Sequence, residues 1–230
     1  MDTQEVIVHR TSLRLARVLV LAVVALVFSA RLSIAGPPLI CHPFSIGTAQ
    51  SLAWNAQPGW RGDVAGYDIS HLTDETVALL SPSTPVIVRM ETLRRAAIYA
   101  LRDEKVADQL LTRLVDRTRK GENGARADAL AWFDAGYYVE TFRQAVPIAR
   151  DKSTEKALAA LVEKVDGYAM VQKSLTLRGS DPAIEFAAAI ITLNRDRADQ
   201  PVHAAKARDG AKQDALLAQN IDMLTGWGTK

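Results

Sequence analysis

The stretch Thr84 to Leu101, TPVIVRMETLRRAAIYAL, decides the fold. Val86-Ile87-Val88 at its head is the most strand-like run in the chain. Its surroundings outweigh that. Thr84 is a good N-cap and Pro85 a good first helical residue, because a missing N–H costs nothing at that position. Val86, Val88, Met90, Leu93, Ala97, Tyr99, Ala100 and Leu101 then supply a helical apolar pattern. Glu91 precedes Arg94 and Arg95 by three and four residues, which predicts a helical ion pair worth about a few tenths of a kcal/mol.

Working outward, the same logic predicts helices from Tyr67 to the C-terminus. Upstream, Asp68 or Ser70 caps a helix running to Leu80, and Ser81-Pro82-Ser83 breaks it. Downstream, Lys105–Arg119 carries Val106, Leu110, Leu111 and Leu114 on one stripe, with Gly121 as a stop. A further helix spans Arg126–Val146 and ends at Pro147. Ser153–Leu177 reads as a single helix, opened by Ser153 or Thr154 ahead of Glu155 and closed by Gly179. Asp181-Pro182 starts the next, which runs to Leu193. A polar joint of Arg195, Asp196, Arg197 and Asp199 follows, then helices over Gln200–Arg208 and Gly210–Leu224. No segment alternates with period two, so the fold class is all-α, with about 55% helix or more against an average of about one-third.

Helices of this length joined by short loops make antiparallel hairpins. An offset of about 34 residues, the tetratricopeptide spacing, aligns Ala97 with Ala131 and Tyr99 with Phe133. The run Ala131 to Tyr138 has the small-and-aromatic mix of such a helix. Gly136 inside it predicts close approach of a neighbouring helix, and Gly167-Tyr168 predicts the same in the next. The full repeat signature is missing and the period wanders. A solenoid-like array and an irregular bundle both stay open.

Residues 36–66 differ from the helical domain, 67–230. They hold Pro37, Pro38, Pro43 and Pro58, Trp54 and Trp60, and no lysine or arginine before Arg61. One short helix is expected over Ser45–Ala53, and the rest reads as an extended arm and loop. An arm with Ile40, Phe44, Ile46, Leu52 and two tryptophans is expected to lie against the helices at a few anchors.

Residues 1–35 read as a signal peptide. Arg10, Arg14 and Arg17 precede an unbroken apolar run, Val18–Phe28, and Ser33-Ile34-Ala35 offers a small-x-small cleavage site before Gly36. The run is short for a membrane span of about 20 residues. The expectation is export, periplasmic or secreted. The alternative is an uncleaved signal anchor in the inner membrane, held through residues 18–30. Ile40 before Cys41 argues against lipidation, and the absence of paired arginines argues against the twin-arginine route.

Three segments resemble those of an uncharacterised group of exported bacterial helical proteins. They are Pro38–Trp54 (PLICHPFSIGTAQSLAW), Pro85–Ala100 (PVIVRMETLRRAAIYA) and Asp181–Ala189 (DPAIEFAAA). The resemblance extends over most of residues 36–230. It implies export and a helical body, and it carries no functional residues.

The chain has 28 basic and 26 acidic residues. Removing residues 1–35 leaves 24 of each, interleaved, with no basic run to match a row of phosphates. Nucleic-acid binding is therefore not expected. The single cysteine, Cys41, excludes an intramolecular disulfide. Its thiol is buried, capped, paired with another chain or reactive. Cys41-His42 is the sharpest chemical pair, since both are metal ligands and a cationic imidazole lowers a thiol pKa. Adjacent side chains in an extended segment diverge, however, and after residues 1–35 only His71 and His203 are available as further imidazoles. No metal and no cofactor are expected. Trp54 and Trp60 flank a polar turn, an arrangement that binds a sugar or protein partner when exposed and covers a core when not. Asp134 is the most unusual carboxylate, set in an apolar stretch, and reads first as a salt bridge or cap to a neighbouring helix. Asp74-Glu75 and Asp103-Glu104 read as solvated helix ends. Phosphate loops, G-x-S-x-G, H-E-x-x-H and Ser-His-Asp order are absent. The leading expectation is a non-enzymatic helical scaffold or adaptor binding a protein or peptide. The alternative is an enzyme or small-ligand binder with its site where the arm meets the helical body.

Overall fold

The computed structural model describes residues 36–56, 59–120, 128–193 and 198–225. The expected signal segment, the membrane-anchor stretch 18–30, Pro58, Gly121, Arg126 and most of the 195–199 joint lie outside these. Among the described residues the secondary structure is helical, without strands. The order is α1 Pro38–Cys41, α2 Leu72–Leu79, α3 Val86–Ala100, α4 Glu104–Lys120, α5 Ala129–Ala145, α6 Lys152–Val162, α7 Gly167–Arg178, α8 Pro182–Thr192, α9 Gln200–Gly210 and α10 Ala215–Ala218. Single 3₁₀ turns occupy Ile69–His71, Val146–Ile148 and Ile221–Leu224.

Helix α5 is the hub. Every residue from Phe133 to Phe142 is buried. It packs against α1, α3, α4, α6, α7 and α8, while α9 pairs mainly with α8. In a solenoid each unit touches only its neighbours. Here one helix is surrounded, so of the two architectures the sequence left open, the described body is an irregular bundle.

The tightest crossing is between α5 and α7. A methyl group on Gly136 would collide with the Gly167 carbonyl oxygen, and one on Gly167 would stand 2.6 Å from that of Gly136. The expected single helix Ser153–Leu177 is two, α6 and α7, separated by a break at Glu163–Asp166. Arg143 of α5 donates to the carbonyls of Val162 (2.8 Å) and Val165 (2.7 Å) at the break, where Val162 O also accepts from Val165 N (3.3 Å). Asp166 caps the restart by accepting from Ala169 N. The Arg143 contacts come from a different helix, so local propensity carries no sign of the interruption.

Two smaller boundaries also move. The N-cap of α3 is Pro85, not Thr84. The Thr84 hydroxyl instead donates back to the Leu79 carbonyl at 2.8 Å, closing the loop after α2. The expected last helix, Gly210–Leu224, is α10 plus the 3₁₀ turn. Asp214 caps α10, and Asn220 Nδ2 donates to Leu216 O and to Ser45 O of the arm.

The expected helix Ser45–Ala53 does not form. His42 is a bend, residues 43–46 and 49–51 have no regular secondary structure, and Gly47-Thr48 form a turn. Apart from the turn bond from Ala49 N to Ile46 O (3.1 Å), their polar groups bond to other elements. Arg95 donates to Leu52 O (2.7 Å), the Tyr99 hydroxyl to Ala53 O (2.6 Å), and the Ser51 and Thr92 hydroxyls meet at 3.0 Å. Ser45 N donates to Asn220 Oδ1 at 2.8 Å, tying the arm to the C-terminal turn. Leu39, Ile40, Phe44 and Leu52 are buried in the common core.

Candidate functional sites

Helix α3 is buried on every face except at Arg95. A helix buried all round is ordinarily apolar, yet α3 carries Arg89, Glu91 and Arg94 at no more than 1% side-chain exposure. Buried charge is tolerated only when paired and hydrogen-bonded. Each of these groups is, and each holds a loop.

Arg94 gathers four of the residues singled out from the sequence. Its Nη1 donates to Ile40 O (3.1 Å), immediately before Cys41-His42, and to Trp60 O (2.9 Å). Its guanidinium lies over the Trp54 ring, 4.9 Å from the centroid. Glu91 locks the guanidinium at 2.7 and 2.8 Å, accepts from Arg95 at 2.8 Å, and accepts from Phe44 N at 3.0 Å. Trp54 also meets Tyr99 edge-on at 6.0 Å. The predicted Glu91 pairing is present, but it lies in the interior, where the surface value of a few tenths of a kcal/mol does not apply.

The Cys41 thiol is half-buried, and burial pushes its pKa up, with Arg94 opposing only in part. It is therefore a poorer nucleophile than a free thiol. Burial, aided by Arg94, pulls the His42 pKa down, which favours the neutral ring. Among the described residues no three His, Cys, Asp or Glu side chains are arranged to hold a metal ion. The arm seam is thus filled by arm backbone and two tryptophans. It has the makeup of a clamp rather than a pocket.

Asp134 stands apart from this cluster. It pairs with Arg89 at 2.7 and 2.8 Å and with Arg117 at 3.1 Å. Arg89 also donates to Thr84 O and Ser81 O, and Arg117 to Leu80 O. Burial pushes the Asp134 carboxyl up to about 6, and the two guanidiniums restrain it from rising further. The aspartate is a fastener between α5 and the α2–α3 loop.

A third constellation escaped the sequence reading, in which His203 appears only as a spare imidazole. The Nδ1 of His203 bonds Glu185, its Nε2 meets the Tyr168 hydroxyl at 2.9 Å, and that hydroxyl also bonds Asp199. Lys206 and the Ser180 hydroxyl donate to Glu185 at 2.8 and 3.2 Å. The parts of an acid–base relay are present. Both nitrogens of His203 are bonded, the network joins α7, α8 and α9, and Glu185, His203 and Lys206 border a small open pocket. The only sequence signal was a polar residue three places after Pro182 in an otherwise apolar helix start.

Two clefts border the segment Val146–Glu163. One is a groove of about 610 Å³ with Val146, Ala159 and Val162 on its floor and Arg143, Glu155, Lys156 and Glu163 around its rim. The other, about 460 Å³, lies among Arg61, Arg102 and Arg150. No helix among the described residues is long and apolar enough to cross a membrane. Compared with known proteins, the chain matched no family model, no curated protein and no solved structure.

Proposed function

We propose that this chain is an exported, non-enzymatic helical scaffold that binds a protein or peptide along the groove between the end of α5 and α6. The groove is the observation that carries this reading. Its apolar floor rewards burial of a partner's side chains, and its alternating charged rim offers register. The Arg94–Glu91 and Arg89–Asp134 clusters support it indirectly, because both are engaged in holding loops to the helices. Helix α6 is suited to the role. Only Leu158 and Val162 are fully buried, and Ala159 and Ala160 face solvent without bulk to block an approaching chain.

The test is retention of a partner. The tagged chain is expressed at native level, cross-linked and purified from the extracytoplasmic fraction, beside an Ala159→Arg/Ala160→Arg variant. A discrete partner held by the wild type and lost from the folded variant is expected. A partner set unchanged by the variant would overturn the groove.

A further inference from the structure

The arginine cleft lies where the arm meets the helical body. Its floor is apolar: Ile98 and Leu101 are 1% and 7% exposed, and Ile148 is half-buried beside them. Three guanidiniums stand around it from three separate segments: Arg61 from the arm, Arg102 just past α3, and Arg150 before α6. Two carboxylates are nearby. Asp63 is shared between Arg61 Nε (3.1 Å) and Arg102 Nη2. Asp151 caps α6, accepting from Thr154 N and from the Thr154 hydroxyl, both at 2.9 Å. Three cations therefore face two anions already in use. Among the described residues Arg61 bonds a carboxylate through Nε alone, its guanidinium lying 5.6 Å from the Trp60 ring centroid, and Arg150 makes no ion pair. Arg102 is held in place, bonded to Val64 O at 3.2 Å and stacked 4.9 Å from the Tyr99 centroid.

We infer that this cleft binds a monoanion that carries a carboxylate on a compact apolar body. A guanidinium fork matches a carboxylate in geometry. The surplus of one positive charge suits a single anion, and the Ile98–Leu101–Ile148 floor suits a hydrocarbon group. The volume falls within the range of small-ligand sites, about 300–1,000 Å³. The same chemistry is presented by a free carboxylic acid and by a peptide C-terminus with an apolar last residue. The inference does not depend on the α5–α6 groove.

The experiment is titration calorimetry on the full chain with four probes: 4-methylpentanoate, its neutral amide, acetyl-Gly-Gly-Leu, and the same peptide amidated. At least one acid binds saturably, and its amide binds about tenfold or more weaker. Whichever acid binds more tightly identifies the source. Arg150→Glu and Arg61→Glu, at exposed side chains, each weaken the acid by about tenfold or more, with thermal midpoints unchanged. Equal binding of acid and amide, acid binding indifferent to both variants, or no saturable binding of either acid overturns the site.

Discussion

Replacing Glu91 with Ala should be the most damaging single change in the arm seam. The carboxylate accepts from Arg94 twice, from Arg95 and from Phe44 N. Its loss leaves the Arg94 guanidinium buried at 0% side-chain exposure, with only backbone carbonyls and the Trp54 face for company. Breaking a buried pair from one side costs about 3–5 kcal/mol, because a charge is left uncompensated. Domains are stable by about 5–15 kcal/mol in total, so the loss is a large fraction of the whole. Removing both partners is a different perturbation. Glu91→Leu with Arg94→Met deletes the stranded charge as well, and paired apolar replacement is close to neutral. The double variant should therefore recover only part of the loss, because Phe44 N, Ile40 O and Trp60 O still lose these partners, and urea unfolding followed by circular dichroism measures that coupling directly. Maleimide labelling of Cys41 supplies a local readout, faster in Glu91→Ala than in the wild type under native conditions. A loss below about 1 kcal/mol, the range of an exposed pair, would refute the reasoning.

Gly136→Ala should destabilise by more than the usual gain of helix propensity, because its methyl meets the Gly167 carbonyl across the α5–α7 crossing; a raised thermal midpoint would contradict that contact. The pH dependence has two opposed parts. The native carboxyl of Asp134 lies near 6, above its unfolded value, so acidification from pH 7 towards 4 adds stability from this group, and Asp134→Asn should flatten that part of the profile. For Glu185 burial acts upward, but Lys206 and His203 outweigh it and hold the carboxyl below its ordinary value. Its contribution is complete above the unfolded value and fades as pH falls through the lower native one, so Glu185→Gln should lose less stability on acidification than the wild type does. N-terminal sequencing of exported protein should begin at Gly36; an intact Met1 in the membrane pellet would favour the anchor.

The helices were legible because their signals are local. Pro182 after Asp181, Gly179 in the left-handed region at φ 73°, and the Leu110–Leu114 stripe each act within one turn. What stayed hidden depends on distant partners. The α6–α7 break is held by Arg143, and the unwound stretch after Ser45 by Arg95, Tyr99 and Asn220. The site reading divided in the same way. Cys41, His42, Trp54 and Trp60 were found by their composition, and they do converge on Arg94, but as parts of a clamp. Asp134 was visible as a carboxylate among apolar residues. The arginine cleft was not, because Arg61, Arg102 and Arg150 look like ordinary surface charge until the fold brings them together.

Groove and seam make competing forecasts about where a partner lies, and site-specific photo-crosslinking separates them. A photoreactive residue is placed at Ala159 on α6, at Ala56 on the exposed edge of the arm, and at Asp108 on the exposed face of α4, each in the full chain in living cells. A discrete adduct from position 159, with none from 56 or 108, is the predicted result. An adduct from position 56 alone would place the partner on the arm seam and contradict the scaffold groove.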